Sequence, residues 1–178
     1  VYLDGKSNAV FKIFEKNGEI CTTQIQTGYN WIDAPHNEEA LFGSVGSEEK
    51  PGLVWPLGKL RKPKFAHKYG YYECRCKLQK QDGWWSAFWL QSPVIGTSID
   101  PTTSGIEVDI MESFAPGSIA KHFLHYNGYG VDHEAKFVGD GKNVSLDEYH
   151  YFGLLWEPDG YTFFIDGIQD GEKITEPI

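Results

Sequence analysis

The hydrophobic residues of this chain fall in short runs that turn-forming residues separate. The runs are rich in β-branched and aromatic residues, and Gly, Pro, Asn and Asp lie between one run and the next. This pattern predicts an all-β fold, because such runs are typical of strands whose side chains alternate between two faces. No segment keeps an apolar stripe at helical spacing, so we expect little helix. The predicted strands lie in AVFKIFEKNGEICTTQIQT, YGYYECRCKL, WWSAFWL, GIEVDIMES, KHFLHYNGYG, EYHYFGLLWEP and YTFFIDG.

Two short segments predict tight hairpins. Residues 16–19 read KNGE between two strand-like runs, and Asn-Gly accepts the positive φ angles of a two-residue turn. Residues 157–163 read EPDGYTF and predict a second hairpin.

Residues 28–66 break the alternation. This segment is rich in Pro and Gly, yet it contains Trp31, Phe42, Trp55 and Phe65. A loop of this length is usually either functional or disordered, and its aromatic residues favour a loop packed over a surface. We therefore include Trp31 and Trp55 among the candidate binding residues.

Composition supports a single globular domain over residues 1–178. Hydrophobic residues make up 40% of the chain and aromatic residues 15%, and the 20 glycines suit a strand-rich protein with tight turns. The net charge of −9 repels phosphate backbones and anionic lipid, which argues against nucleic-acid and membrane-surface partners. A neutral or cationic partner fits this charge better.

Neither a membrane span nor a secretion signal is visible in the sequence. No run approaches the roughly 20 apolar residues of a spanning helix. The first residues, VYLDGKSNAV, lack the charged and apolar regions of a signal peptide. We expect that any export signal was removed or never existed.

The three cysteines, Cys21, Cys74 and Cys76, form an odd set. Cys74 and Cys76 are two residues apart on a predicted strand, too far apart and too parallel to bridge comfortably. We interpret the cysteines as small buried hydrophobic residues. A bridge from Cys21 to one of the others is the alternative if their strands are adjacent.

The segment GIEVDIMES, residues 105–113, places three acids at a spacing that a regular strand would split. Alternation puts Glu107 and Asp109 on one face and Glu112 on the other. Either Glu112 is an unrelated outward charge, or a one-residue β-bulge at Ile110 or Met111 returns it to their face. We favour the bulge, because the flanking residues are strongly apolar and bulges are common beside active sites.

Three carboxyls on one face would divide their protonation states. Like charges at short range cannot all ionise easily, so one acid keeps its proton near neutral pH while another stays ionised. A nucleophile and a general acid require this division. On a concave sheet, the outer carboxyls of Glu107 and Glu112 could reach the roughly 5 to 5.5 Å separation that retaining glycosidases use.

The segment GWWSAFWLQ, residues 83–91, is apolar on both faces. Alternation places Trp85 and Trp89 on one face and Trp84 and Phe88 on the other. One face belongs in the core, and the other offers flat aromatic surfaces against which sugar rings can pack. Each tryptophan is as compatible with core burial as with sugar stacking, and we favour Trp85 and Trp89 as the cleft pair.

Other chemical motifs are weak or absent. His122 and His125 lie three apart on an extended run and hence on opposite faces, which disfavours a metal pair. No Cys/His spacing resembles a zinc site, and no G-x-S-x-G elbow or phosphate-binding glycine loop occurs. The sequence thus predicts no metal ligands and no required cofactor.

Four segments together resemble glycoside hydrolase family 16. GIEVDIMES is similar to the family's active-site signature, E-[ILV]-D-x-x-E in its bulged form. KYGYYECRCKL and DGWWSAFWL resemble two of its strands, the second with Ser86 in place of the usual proline. HYFGLLWEPDGYTFFIDG resembles its last hairpin. The matches follow the family's order over roughly residues 68 to 168.

The resemblance implies a β-sandwich jelly roll whose concave sheet forms an open cleft. It also implies retaining hydrolysis inside β-linked polysaccharide chains. By motif, Glu107 corresponds to the nucleophile, Glu112 to the acid/base, and Asp109 to the residue that hydrogen-bonds and tunes the nucleophile.

The resemblance also implies substrate-binding residues. Trp85 and Trp89 match cleft tryptophans, and His125 matches a histidine near the acids on the neighbouring strand. Trp156 matches a tryptophan of the last hairpin, and we include it among the substrate-binding residues. The structural calcium ion that occurs in some family members cannot be assigned to residues of this chain.

Two departures from the family pattern lead to further expectations. The family domain normally has strands before VYLDG and after FFIDG, so we expect either a trimmed piece or closure of the sheets from elsewhere. Residues 28–66 form a longer connection than in the family, and we expect them to shape one end of the cleft.

The first substrate we expect is a neutral β-1,3-glucan such as laminarin. The bulged signature is shared with enzymes acting on agarose, porphyran and carrageenan, but a net charge of −9 argues against sulfated galactans. The alternatives are a β-galactan hydrolase, a transglycosylase, and a non-catalytic carbohydrate-binding jelly roll, which would not need both Glu107 and Glu112. We expect a monomer that is secreted, periplasmic or at the cell surface.

Overall fold

The computed structural model of the chain describes residues 1–28, 63–95, 98–129 and 132–176. These residues divide into two units. The described part of the first unit comprises residues 1–28 and 63–66, and the second unit begins its described part at His67. The three acids of GIEVDIMES lie in the second unit.

The first unit contains two antiparallel strand pairs. β1 (Tyr2–Leu3) pairs with β2 (Ala9–Val10), and β3 (Phe14–Lys16) pairs with β4 (Glu19–Cys21). Asn17 and Gly18 join β3 to β4 with φ angles of 56° and 82°, as a type I′ turn requires. The hairpin predicted from KNGE is therefore confirmed.

In the described part of the second unit, the regular elements are strands apart from one short helix. Its elements, in chain order, are β5 (Gly70–Cys76), β6 (Ser86–Gln91), α1 (Pro101–Ser104), β7 (Glu107–Ser113), β8 (Ser118–Ile119), β9 (His122–Tyr126), β10 (Glu134–Val138), β11 (Lys142–Asn143), β12 (His150–Glu157), β13 (Gly160–Ile165) and β14 (Ile168–Gln169). Four strands form a front sheet in the order β10-β9-β7-β6, and four form a back sheet in the order β14-β13-β12-β5. Neighbouring strands in both sheets are antiparallel.

The hydrophobic core of this unit lies between the two sheets. Val108, Ile110 and Leu124 of the front sheet join Phe152 and Phe163 of the back sheet in one cluster, and each is at most 3% exposed. Burying a side chain of this kind contributes about 1.5–3 kcal/mol relative to leaving it in water. The all-β sandwich predicted from the sequence is confirmed. Within the described residues, no helix has the length and apolar character needed to cross a membrane.

The second predicted hairpin joins β12 to β13. Glu157 and Gly160 form the last pair of the two strands, with Pro158 and Asp159 as the connecting residues. The hairpin predicted from EPDGYTF is confirmed.

All three cysteines are free thiols. The alternative of a bridge from Cys21 is therefore wrong, and each thiol is half-buried rather than fully buried as expected. Cys76 packs against the core cluster. A hydrogen bond with its thiol lowers the pKa of Cys74 to about 7.

Candidate active site

A β-bulge interrupts the pairing of β6 with β7. Ala87 lies opposite Glu112 and Phe88 opposite Met111, but the next residue, Trp89, lies opposite Asp109. Ile110 is therefore the extra residue of β7. The bulge that the sequence predicted at Ile110 or Met111 is confirmed, and the structure places it at Ile110.

The bulge sorts the residues of β7 between two faces. Ile110 and Met111 are consecutive, yet both belong to the core cluster. Glu112 is consequently turned to the same side as Glu107 and Asp109, away from the core. The structure thus brings the three acids together on the outer face of the front sheet.

Glu107 is held by two side-chain donors. Gln91 Nε2 donates to Glu107 Oε2 at 2.7 Å, and the Tyr129 hydroxyl donates to the same oxygen. Gln91 Nε2 also lies 2.9 Å from the Tyr129 hydroxyl oxygen, so the two donors hold each other. Burial and, next, the charge of Asp109 raise the pKa of Glu107 to about 7, against the effect of both donors.

Glu112 accepts from a donor of a different kind, an indole. Trp85 Nε1 donates to Glu112 Oε1 at 2.9 Å, and Glu112 is only 7% exposed. Burial raises the pKa of Glu112, and the charge of Asp109 raises it further. These two effects favour the protonated form of Glu112. The indole that donates to its Oε1 atom belongs to an exposed tryptophan.

Asp109 lies between the two glutamates and is paired with a histidine. Its Oδ2 atom is 3.3 Å from His125 Nε2, and Asp109 is 4% exposed. His125 Nδ1 lies 2.9 Å from His133 Nε2, so the two rings are joined by a hydrogen bond. The hydrogen bond with Asp109 raises the pKa of His125, whereas burial lowers that of His133. The charge of Asp109, which His125 partly compensates, thus raises the pKa of both glutamates.

Glu107, Asp109 and His125 also place one potential ligand atom each within 4.8 Å of one another. Hydrogen bonds and an ion pair already engage these groups with Gln91, Tyr129 and each other. Their arrangement suits proton transfer and the stabilisation of charge.

The predicted cleft tryptophans lie on the face of the acids. Trp89 is directly opposite Asp109 on β6. Trp85 is 69% exposed, and its ring lies 5.1 Å from that of Phe114, which is also exposed. Together Trp85 and Phe114 present a continuous aromatic surface beside Glu112.

The prediction that Trp156 binds substrate is wrong. Trp156 belongs to β12 of the back sheet, where it packs against the core cluster, and its ring stacks on Tyr161 at 5.8 Å. It supports the interior instead of facing the acids. The predictions for Trp31 and Trp55 fall on residues outside those that the structure describes.

Sequence reasoning missed three members of the site. Gln91 continues the alternation of Trp85 and Trp89, so the period of two could have found it. Tyr129 and His133 come after β9, in the segment NGYGVDH, and no periodicity marks them. In the structure, the Tyr129 side chain reaches Glu107 and the His133 side chain reaches His125.

Comparison with known proteins decides the family. The sequence profile of glycosyl hydrolases family 16 matches residues 55–173, more than half of the chain. The chain belongs to glycosyl hydrolases family 16. This membership confirms the resemblance carried by the sequence motifs, and the jelly-roll sandwich of family 16 agrees with the all-β fold seen here.

Two relatives of this family 16 chain are much longer proteins. The glucan endo-1,3-beta-glucosidase A1 of Niallia circulans is 32% identical over 146 residues, which are 76% of this chain and 20% of that protein. The xylanase/beta-glucanase of Ruminococcus flavefaciens is 31% identical over 111 residues, 62% of this chain and 13% of that protein. The chain therefore spans a fifth or less of the length of these relatives.

Solved family 16 structures are also similar. A Bacteroides ovatus enzyme in complex with a G4G4G3G product has a TM-score of 0.48 at 25% identity, over 63% of this chain and 50% of that one. The laminarinase catalytic domain of Thermotoga maritima has a TM-score of 0.47 at 25% identity, over 64% and 45% of the respective chains.

Proposed function

We propose that this protein is a retaining, endo-acting glycoside hydrolase whose first substrate is a β-1,3-glucan. One observation carries the proposal. The bulge at Ile110 turns two carboxyls, Glu107 and Glu112, to one face beside Asp109, and this environment raises the pKa of both. Membership of glycosyl hydrolases family 16 supports the same reaction class.

In the first step, ionised Glu107 attacks the anomeric carbon of the sugar. The bond from that carbon to the leaving sugar oxygen breaks while Glu112 gives its proton to this oxygen. Gln91 and Tyr129 donate to Glu107 and favour its charged form. Burial favours the proton on Glu112. The reaction requires the single proton of the dyad on Glu112. The two donors favour this distribution against the burial that raises the pKa of Glu107 to about 7.

In the second step, a water molecule releases the sugar from Glu107. Formation of the glycosyl ester has removed the charge of Glu107, so the pKa of Glu112 falls and its carboxylate can take a proton from the attacking water. Glu107 leaves as a carboxylate and the pair returns to its first state. Glu112 performs both proton transfers, and Glu107 forms and then releases the glycosyl ester, so the proposed reaction uses no cofactor.

The substrate class rests on three observations of different kinds. The Niallia circulans relative is a glucan endo-1,3-beta-glucosidase, which favours a β-1,3-glucan. The net charge of −9 favours a neutral polymer over a sulfated one. The exposed rings of Trp85 and Phe114 offer flat faces for sugar rings. Because polymeric substrates are met outside the cell, we also propose a secreted, periplasmic or surface location.

A substrate comparison tests the proposal. The protein is incubated with laminarin, mixed-linkage glucan and agarose, and new reducing ends are measured, with the Glu107→Gln variant as the blank. We expect the highest rate on laminarin and a first product of retained β configuration by NMR. Activity on agarose alone would point to a β-galactan hydrolase. Binding of these polymers without new reducing ends would instead indicate a carbohydrate-binding jelly roll.

Removal of the Tyr129 hydroxyl should shift the pH profile of kcat/KM. Its hydrogen bond lowers the pKa of Glu107, so the Tyr129→Phe variant should have a higher Glu107 pKa and need a higher pH to ionise the nucleophile. We expect kcat/KM at pH 6 to fall about threefold to tenfold, the equivalent of one hydrogen bond. At alkaline pH, where Glu107 is ionised in both proteins, the difference should shrink.

The matched control for this prediction is Tyr126→Phe. Tyr126 is a neighbouring tyrosine whose hydroxyl donates to Glu134 at 3.1 Å. Its profile should match that of the wild type. An unchanged acidic limb in Tyr129→Phe would contradict the role assigned to the hydroxyl.

A further inference from the structure

The backbone pairing around the bulge differs between its two sides. On the β6 side the register shifts by one residue at Ile110. On the β9 side the strand pairs run from Glu107–His125 to Asp109–Phe123 and stop there. Beyond the stop, Ala120 N donates to the Glu112 carbonyl at 2.9 Å. Because Ala120 and Glu112 keep the register of the earlier pairs, His122 stands opposite Ile110 where the strand pairing has ended.

The His122 side chain reaches across this interruption. Its Nδ1 atom lies 2.8 Å from the carbonyl oxygen of Ile110, the extra residue of the bulge. A carbonyl oxygen can only accept, so Nδ1 carries the proton and donates it. An imidazole thus satisfies a buried carbonyl that lies beside a break in regular pairing.

The His122 ring is fixed by the residues around it. It is fully buried at 0% exposure, and it stacks on Phe163 of the back sheet at 4.4 Å with an interplanar angle of 8°. Its second nitrogen, Nε2, lies 3.2 Å from Asp170 Oδ2. These contacts, on the ring face and at both nitrogens, fix the orientation of the His122 ring with Nδ1 directed at the Ile110 carbonyl.

We propose that His122 is a positioning residue for Glu112, holding the bulge at Ile110 so that the Glu112 carboxyl keeps its place beside Glu107 and Asp109. This inference rests on the proposed function, in which Glu112 gives a proton to the leaving sugar. Without the ring N–H, the Ile110 carbonyl would be buried without this donor, and the bulge would lose the contact that fixes it. The orientation of Glu112, two residues further on, would then change, whereas Glu107, on the regular part of β7, would keep its place.

This difference between the two glutamates gives a selective test. Two substrates are compared by kcat/KM, which covers the steps up to the glycosyl–enzyme bond. Laminarin has a sugar leaving group that must be protonated, whereas a dinitrophenyl glycoside of a β-1,3-linked glucose disaccharide has a leaving group that departs as an anion. Displacement of Glu112 should slow the first reaction and spare the second.

The His122→Phe variant keeps a planar ring but has no donor. We expect kcat/KM on laminarin to fall about tenfold to a hundredfold, as for a catalytic group misplaced by about 1 Å. On the dinitrophenyl glycoside it should fall less than about threefold, since Glu107 alone drives this step. His122→Asn carries an N–H at the position of Nδ1, so it should restore most of the activity on laminarin.

The matched control is His150→Phe. His150 is also a buried histidine, 9% exposed, but it belongs to the back sheet and contacts Asp166 and the Ser145 carbonyl. Its replacement should leave the ratio of the two kcat/KM values unchanged. If His122→Phe does not fold, His122→Asn is compared with His122→Gln, whose amide reaches toward Asp170 instead of the carbonyl, and the asparagine variant should be closer to wild type.

Each outcome has a definite meaning. Equal losses on both substrates in His122→Phe, or a glutamine variant as active on laminarin as the asparagine variant, would show a purely structural role and overturn the proposal. A wild-type protein inactive on both substrates would overturn the proposed function instead. A selective loss on laminarin with rescue by asparagine supports the positioning role.

Discussion

Replacing Glu107 by glutamine should lower turnover of laminarin at least about 1,000-fold while the protein stays folded. Glutamine has the shape of glutamate and can still accept hydrogen bonds from Gln91 and Tyr129, but it cannot form the glycosyl ester. Initial rates of reducing-end formation measure the loss, and circular dichroism verifies the fold. The matched control, Glu73→Gln, changes an exposed acid of β5 that accepts a hydrogen bond from Tyr71, and it should be fully active.

The same substitution should stabilise the protein at alkaline pH. The pKa of Glu107 is raised to about 7 in the folded state, above its ordinary value of 4.5. The folded protein therefore holds the proton longer than the unfolded chain does, and the charged carboxylate destabilises the fold increasingly as pH rises from about 4.5 to about 7. Glutamine removes this penalty, so Glu107→Gln should raise the free energy of unfolding at pH 8 by up to about 3 kcal/mol.

Urea denaturation at pH 8 and pH 4 measures this effect. The stabilisation should be largest at pH 8 and vanish near pH 4, where glutamate is neutral in both states. A variant that is inactive but less stable than wild type at pH 8 would argue against a buried, electrostatically strained nucleophile. Loss of activity together with a gain in stability would show that the Glu107 carboxylate is required for catalysis and destabilises the folded protein.

Glu112→Gln should lower kcat/KM on laminarin about 100-fold to 10,000-fold, the usual contribution of a general acid. The dinitrophenyl glycoside needs no protonation, so formation of the glycosyl–enzyme should be nearly unchanged. Its hydrolysis should stall, because no base activates water. Azide attacks without a base, so added azide should restore turnover and yield a glycosyl azide.

The pair of variants separates the two roles. Glu107→Gln should be inactive on both substrates, with or without azide. Rescue of Glu107→Gln by azide on the dinitrophenyl substrate, together with failure to rescue Glu112→Gln, would exchange the assignments. The Trp85→Phe variant isolates the hydrogen bond to Glu112, because phenylalanine keeps an aromatic surface but has no indole donor.

The local pattern of the sequence contains most of what determines the fold. Asn17-Gly18 and the segment around Asp159 predict their hairpins because backbone conformation at these turns depends on the residues themselves. The bulge is predictable for a related reason. Ile110 and Met111 are adjacent apolar residues within an alternating strand, and burying both requires one additional residue.

Other parts of the site depend on contacts that no local pattern encodes. Tyr129 reaches Glu107, and His133 reaches His125, by contacts between residues that are not neighbours in the sequence. Trp156 shows the opposite error. A strand tryptophan in an alternating segment faces either the core or the solvent, and only its stacking on Tyr161 decides between these faces. Sequence periodicity identifies the two faces of a strand, and the assembled sheets determine which neighbours each face meets.

The extra residue in β7 makes chain length part of the catalytic design. Every substitution at Ile110 preserves the count of residues between Glu107 and Glu112, so the carboxyls can stay together through many changes of side chain. Removing this one residue would place the three acids at alternate positions, where a regular strand keeps them on one face without a bulge. One further residue inserted between Asp109 and Glu112 would instead turn Glu112 toward the core. Variation in this strand is therefore expected to tolerate exchanges and the loss of the bulge residue but to exclude single-residue insertions, a constraint that a scan of point substitutions would not reveal.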